Sequence, residues 1–267
     1  MFNFGKKTHI MGIINVTPDS FFDGGKFNNL EKALIQAENL IKAGADILDI
    51  GGESTRPNSE PVSVSEELER VLPLIEKLKE FSIPVSIDTT KAQVAREACR
   101  AGVAIINDIS GLNFDPEMVK VAAESGSYLV IMHIKGKPQD MQVKPEYNDV
   151  LAEVKAYFQK SISLALENNI SPEKIILDPG IGFGKSLEHN LHLLRNLADI
   201  KKMGYPVLLG TSRKSFISKI SDVPIEERLE GSLATVVSGI ASGVDIVRVH
   251  DVAETKRAVI VADAIYR

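Results

Sequence analysis

Polar residues with chemical capability sit where short apolar runs end: Asn15, Asp49, Asp88, Asn107, His133, Asp178, Lys214, Arg248 and His250. Their types divide into two sets. Asp88, Asn107 and Asp178 accept hydrogen bonds, and Asn107 also donates, which matches the edge of a flat guanidine-like or pterin-like ring. Lys214, Arg248 and His250, with Asn15 and Thr55, are donors or metal-coordinating groups suited to a phosphate or diphosphate. A carboxylate or carboxamide just after a strand also caps helices and fixes turns, so Asp49, Asp88, Asn107 and Asp178 each carry that second reading. Taken together they ask for a partner, because an apolar interior does not bury unpaired acids. An Arg at the depth of position 248 asks for an anion. His133 reads equally well as a structural histidine.

The stretch PGIGFGKS (179 to 186) has the look of a nucleotide loop but fails on spacing. A Walker A match would need Gly where Pro179 stands, and a dinucleotide fingerprint from Gly180 would need Gly where Lys185 stands. Gly180, Gly182 and Gly184 read instead as letting backbone approach a ring, with Phe183 as an apolar wall. No His/Cys grouping has zinc spacing. A hard cation such as Mg²⁺, bridging diphosphate oxygens with Asn15 as an oxygen ligand, fits the residues better.

The elements that must position these groups come as eight repeats. Strand-like runs near 8–15, 46–50, 85–88, 104–107, 127–133, 175–178, 207–209 and 245–248 alternate with helical patterns near 29–43, 64–80, 90–101, 115–125, 146–168, 187–203, 225–242 and 252–265. Eight βα units with buried-type strands predict an α/β fold, a (β/α)₈ TIM barrel, with an open doubly wound sheet as the alternative. In a barrel the loops after the strands share one rim, where sites form. Gly44 reads as a C-terminal cap and Ser65 as the capping start of the second helix. The Gly-, Ala- and Ser-rich helix at 225–242 permits close approach either to the barrel or to another subunit. Two long polar loops, 15 to 28 and 51 to 63, read as binding loops or lids on the same rim.

Bulk properties narrow the class. No linker or low-complexity segment divides the 267 residues, which read as one domain, 1–267. A net charge of -5 leaves no broad basic surface for nucleic acid, and no apolar run is long enough to span a membrane. The start MFNFGKKTHI lacks the apolar core of a secretory signal, which predicts a cytoplasmic protein. The single cysteine, Cys99, falls in an amphipathic helix as a small core side chain and cannot form a disulfide within the chain.

The motifs GIINVTPDSFFDGG, DILDIGGESTRP, VSIDTTK, INDISG, LDPGIGFGK, GTSRKSFI, GSLA and RVHDV, in this order across nearly the whole chain, resemble the dihydropteroate synthase family of the pterin-binding barrels. The resemblance implies a (β/α)₈ barrel that transfers a (dihydropterin-6-yl)methyl group from its diphosphate to 4-aminobenzoate, with Mg²⁺. Carried onto matching positions, it implies that Asp88, Asn107 and Asp178 hold the pterin with Lys214 beside it. Asn15 would coordinate Mg²⁺ near the diphosphate, joined by Thr55, Arg248 and His250. The loops bearing Asp19, Ser20 and Phe21, and Thr55, Arg56 and Pro57, would close over the reaction and form the 4-aminobenzoate pocket with Phe183 and Ser215. A homodimer through the last helices is implied as well. Ile134 stands where Met is usual and Asn58 where Gly is common, which touches fine contacts only. The rival readings are a methyltetrahydrofolate-corrinoid methyltransferase and a non-catalytic pterin-binding protein.

Overall fold

Strands that are apolar on both faces belong to a sheet covered on both sides. The computed structural model describes residues 2–17, 26–54 and 59–267, with backbone alone for 26–29. Its strands are β1 (His9–Asn15), β2 (Ile47–Gly51), β3 (Val85–Asp88), β4 (Ile105–Asp108), β5 (Tyr128–Met132), β6 (Ile175–Asp178), β7 (Leu208–Leu209) and β8 (Ile246–Val249). All pair in parallel, in the order β6-β5-β4-β3-β2-β1-β8-β7. A parallel bridge between Leu177 and Val207, with Leu177 N donating to Pro206 O at 2.9 Å, joins the two ends. The sheet is therefore a barrel and not the open alternative.

Period-two alternation then sorts the side chains. One set faces the helices and builds the main core, including Leu48, Ile50, Ile87, Ile106, Leu129, Ile131, Leu177 and Val247. The opposite set, Met11, Ile47, Ile105, Val130, Ile176, Leu208 and Ile246, forms a separate layer inside the barrel, packed at its lower end against Phe2 and Phe4. Two residues further along four of these strands come Asp49, Asn107, Asp178 and Arg248. The inner face thus changes from aliphatic to polar and charged in one pleat.

The helices are α1 (Lys26–Ala43), α2 (Val64–Leu78), α3 (Ala92–Arg100), α4 (Met118–Ser125), α5 (Val150–Glu167), α6 (Leu187–Arg195), α7 (Leu197–Lys201), α8 (Ser215–Ser221), α9 (Leu229–Ala241) and α10 (Val252–Tyr266). Several depart from the predicted spans for local reasons. α2 is capped by Ser63, which accepts from Glu66 N at 3.2 Å, so Ser65 lies inside the helix. α5 begins only after Asp149 has capped Ala152 N. The pattern at 187–203 breaks at Asn196, whose side chain bonds back to His192 O at 2.7 Å. α8, unpredicted, is too short to show a period. Gly44 does end α1, with φ 99 and bonds from Gly44 N to Ile41 O and from Ala45 N to Leu40 O.

Two glycines of α9 pack closely against their own chain, on α8 and on β7. A Cβ on Gly231 would stand 2.4 Å from Ile217, and one on Gly239 would stand 2.7 Å from Leu209. Cys99 is half-buried against the core, as its helical stripe predicts.

Candidate functional site

Asp49, Asp88, Asn107 and Arg248 form one ion cluster at the upper end of the barrel interior. Arg248 Nε donates to Asp49 Oδ2 at 2.6 Å, and its NH2 donates to Asp88 Oδ2 at 2.7 Å. Asn107 Nδ2 donates to the same Asp49 oxygen at 3.2 Å. The anion that an Arg at this depth requires is therefore supplied by the chain itself. Asp49 Oδ1 and Asp88 Oδ1 are buried without a hydrogen-bond partner, so the cluster presents spare acceptors.

β6 and the loop after β7 complete the group. Asp178 Oδ1 accepts from Gly180 N at 2.7 Å, which fixes the turn and leaves its second oxygen for other partners. Lys214 Nζ donates to Ile181 O at 2.5 Å and lies 4.7 Å over the Phe183 ring. Phe183 in turn packs against a small apolar cluster of Ile109, Met132, Ile134 and Met141. The result is a site with an acidic floor, two cations on one side and an apolar wall.

The charges are mutually tuned. Burial pushes the Asp88 carboxyl up to about 7, with Arg248 pulling it down and Asp49, Glu67 and Asp108 pushing it up. Burial raises Asp178 too, against Lys214, the Gly180 amide and Arg248. Burial lowers the Lys214 ammonium to about 8, with Asp178 opposing. Burial works against the charge on Arg248 as well, yet Asp49 and Asp88 hold its pKa above the usual value. Three acids and two bases in one low-dielectric space keep part of the acid protonated near neutral pH.

Asn15 ends β1 opposite Gly51, and a Cβ on Gly51 would lie 3.6 Å from Asn15 Oδ1 and 3.9 Å from Asp88 Oδ2. Asn15 thus borders the cluster. Among the described residues no His, Cys, Asp and Glu side chains group as a metal centre. A lone carboxamide oxygen fits a cation that keeps water and brings phosphate oxygens with it. His250 is exposed on the loop after β8, where its N donates to Ser212 Oγ at 3.2 Å and its Nδ1 lies 3.1 Å from that hydroxyl. Ser215 is exposed at the start of α8, next to Lys214. Asp19, Ser20, Phe21, Thr55, Arg56, Pro57 and Asn58 lie outside the described residues.

The glycine loop corrects the sequence expectation. A Cβ on Gly180 would fall 1.9 Å from His133 O, and one on Gly184 would fall 2.2 Å from Lys135 O. These glycines let the loop after β6 press against the loop after β5, and only Gly182 faces a site side chain, Lys214 at 3.3 Å. Lys185 is buried as a clasp, bonded to His133 Nδ1 at 2.8 Å and to Gly180 O and Phe183 O at 2.9 Å. Burial and Lys185 push His133 down to about 2, so the ring stays neutral and its Nδ1 accepts. His133 is structural. Lys185→Met should lower the unfolding free energy by roughly 3 kcal/mol in urea titration, because several buried acceptors lose their donor at once.

Sequence reasoning gave Asp49 no ligand-binding role and passed over Lys91. Lys91 Nζ bonds to Glu67 Oε2 at 2.6 Å and to Glu53, tying the base of the second long loop to α2. The I-x-D alternation from the inward-facing Ile47 was the available signal for Asp49; nothing local marked Lys91 and Glu67.

The profile of the pterin binding enzyme family matches residues 11–250. The dihydropteroate synthase of Synechocystis sp. is 51% identical over 269 residues, covering 100% of this chain and 93% of that protein. That of Bacillus subtilis is 50% identical, covering 98% and 90%. A crystal structure of a dihydropteroate synthase from Clostridium difficile, solved in the presence of pteroic acid, superposes with a TM-score of 0.95 at 51% identity, covering 100% of both chains.

Proposed function

Because this chain belongs to the pterin-binding enzyme family, within its dihydropteroate synthases, we propose a division of labour among its rim residues. The reaction joins the methyl carbon of (7,8-dihydropterin-6-yl)methyl diphosphate to the amine of 4-aminobenzoate, giving 7,8-dihydropteroate and diphosphate. Asp88, Asn107 and Asp178 take the N–H edge of the pterin, with Lys214 beside the ring. Arg248, His250 and Thr55 take the diphosphate. Asn15 holds Mg²⁺, which when bound would neutralise charge gathering on the diphosphate oxygens. Phe183 and Ser215, with Phe21, Thr55, Arg56 and Pro57, border the aminobenzoate, and Asp19 helps to position the first loop or the cationic fragment. Residues 1–267 act as one domain.

The observation that supports this reading most directly is the Arg248 bridge between Asp49 and Asp88, because it joins the ring-binding and anion-binding sets in one cluster. Chemistry follows from that juxtaposition. The C–O bond to diphosphate breaks with its electron pair leaving on oxygen, where Arg248 meets the new charge. The positive fragment left on the electron-rich pterin is favoured by Asp88 and Asp178. The amine lone pair of 4-aminobenzoate, neutral at pH 7, closes the C–N bond and one of its protons is shed. An assay of diphosphate release with both substrates tests the assignment: release that needs 4-aminobenzoate supports it, and a corrinoid requirement would replace it.

The elevated Asp88 pKa gives a pH prediction. Below about 7 the carboxyl gains a proton and an acceptor becomes a donor facing ring N–H groups. Affinity for a pterin lacking the diphosphate should therefore fall as pH drops from about 8 to about 6, and Asp88→Asn should weaken that dependence, leaving the part that belongs to Lys214 and Asp178. Calorimetry across this range is the check.

A homodimer is supported by Ile260, Val261, Ile265 and Tyr266, which are exposed on α10; sedimentation would test it. No described helix is long and apolar enough to cross a membrane, and a cytoplasmic location accords with a folate-pathway enzyme.

A further inference from the structure

The turn that carries Lys214 has a strained backbone. Arg213, immediately before it, has φ 55, a left-handed conformation that residues with a Cβ keep only where the surroundings impose it. Those surroundings act on its main chain and side chain alike. Arg213 N donates to Ser232 Oγ at 2.9 Å, and Arg213 O accepts from Arg228 NH1 at 3.0 Å. The guanidinium forks onto Asp251, Nε to Oδ2 at 2.8 Å and NH2 to Oδ1 at 2.7 Å, while NH1 reaches Ile225 O at 3.2 Å.

Asp251 stands at the N-cap position of α10, where an Asp ordinarily accepts from its own helix. It makes no cap bond there and gives both oxygens to Arg213. One residue earlier on each loop, Ser212 meets His250. Two consecutive links, 212 to 250 and 213 to 251, therefore tie the loop after β7 to the loop after β8. From this anchored turn Lys214 continues in extended conformation, φ -68 and ψ 152, and its ammonium reaches over Phe183 to Ile181 O.

We propose that Asp251 is a positioning residue for the transfer reaction: by clamping Arg213 in its left-handed turn, it aims Lys214 into the barrel. Asp251 itself gives both oxygens to Arg213 and acts through it. The inference rests on the place given to Lys214 above. A bidentate fork suits the role because it fixes direction as well as distance, and a small misplacement of a group at the reacting centre is costly.

Lys214 reports on its own position, since burial holds its ammonium near 8 while a lysine released to solvent titrates as a free one does. The test uses the full chain with Asp251→Asn, Arg213→Gly, Arg213→Lys and the Asp251→Asn/Arg213→Gly double variant. Arg213→Gly removes the fork yet accepts positive φ without strain. Amine labelling of Lys214, read by peptide mass spectrometry from about pH 6 to about pH 11, gives its titration midpoint. Thermal melting follows the fold.

The midpoint should rise by about one unit or more in each single variant, and turnover should fall about tenfold or more. The double variant should be no worse than the worse single one, because both changes break one clamp. Arg213→Lys should not restore either readout, since a point charge cannot fork. If Asp251→Asn does not fold, Arg213→Gly is judged by the same two readouts. A Lys214 midpoint at the parent value in the folded variants would overturn the proposal, whatever happens to melting or turnover. Lys214→Met with parent turnover would instead sink the site reading and leave the labelling result to judge the clamp.

Discussion

Arg248→Met is expected to cost on the order of 10²-fold in turnover, as for a preorganised donor to developing charge, and to destabilise the protein in a pH-dependent way. Arg248 compensates Asp49, which is fully buried, and Asp88, which is 6% exposed. Without it, two buried carboxylates face each other with the Asn107 amide and the Lys214 ammonium as their remaining compensation. Breaking a buried pair on one side costs about 3–5 kcal/mol. That cost should be greatest at alkaline pH. Asp88 already titrates near 7 in the fold, above its value in the unfolded chain, and loss of Arg248 removes a factor that holds it down. Parent and variant lose stability alike as pH rises from the unfolded value of about 4 to about 7, and above that only the variant, whose carboxyl holds its proton to higher pH, goes on losing it, so the deficit opens above about 7. Urea titrations at about pH 8 and about pH 5 should show a deficit that shrinks at the lower pH. An equal deficit at both, or parent turnover, would count against the cluster as described.

Asp178→Ala should weaken binding of the pterin substrate by about 10³-fold or more, since ring donors would be buried without an acceptor. Asp178→Asn separates the two jobs of this side chain. One oxygen accepts from Gly180 N and shapes the loop after β6; a carboxamide keeps that bond. At the other oxygen it substitutes an NH₂ that meets the ring edge donor to donor. Asn at 178 should therefore retain most of the stability lost by Ala and bind pterin no better. Calorimetry paired with thermal melting distinguishes the roles, and unchanged pterin affinity in Asp178→Ala would remove the residue from the site.

Much of this was legible because local rules govern it. The eight strands, their parallel character and the rim position of the polar residues follow from apolar runs ending in polar loops. Among the features misread, one turned on a helix boundary and one on contacts with another segment. Ser65 lost the cap to Ser63 because the first helical residue, Val64, comes earlier than the apolar stripe suggests. The glycines of 180–184 serve the loop after β5 instead of a ring, because their nearest neighbours, His133 O and Lys135 O, belong to a different βα unit.

Sequence by itself determined which side chains enter the barrel: with period two, an inward Ile47, Ile105, Ile176 or Ile246 carries Asp49, Asn107, Asp178 or Arg248 onto the same face. Tertiary structure alone decided their partners. Arg248 lies 199 residues from Asp49 and 160 from Asp88 along the chain, and only the β1–β8, β1–β2 and β2–β3 pairings bring them together. An ion pair between distant strands has no local signature, because its energy depends on a separation and a dielectric that exist only once the barrel has closed.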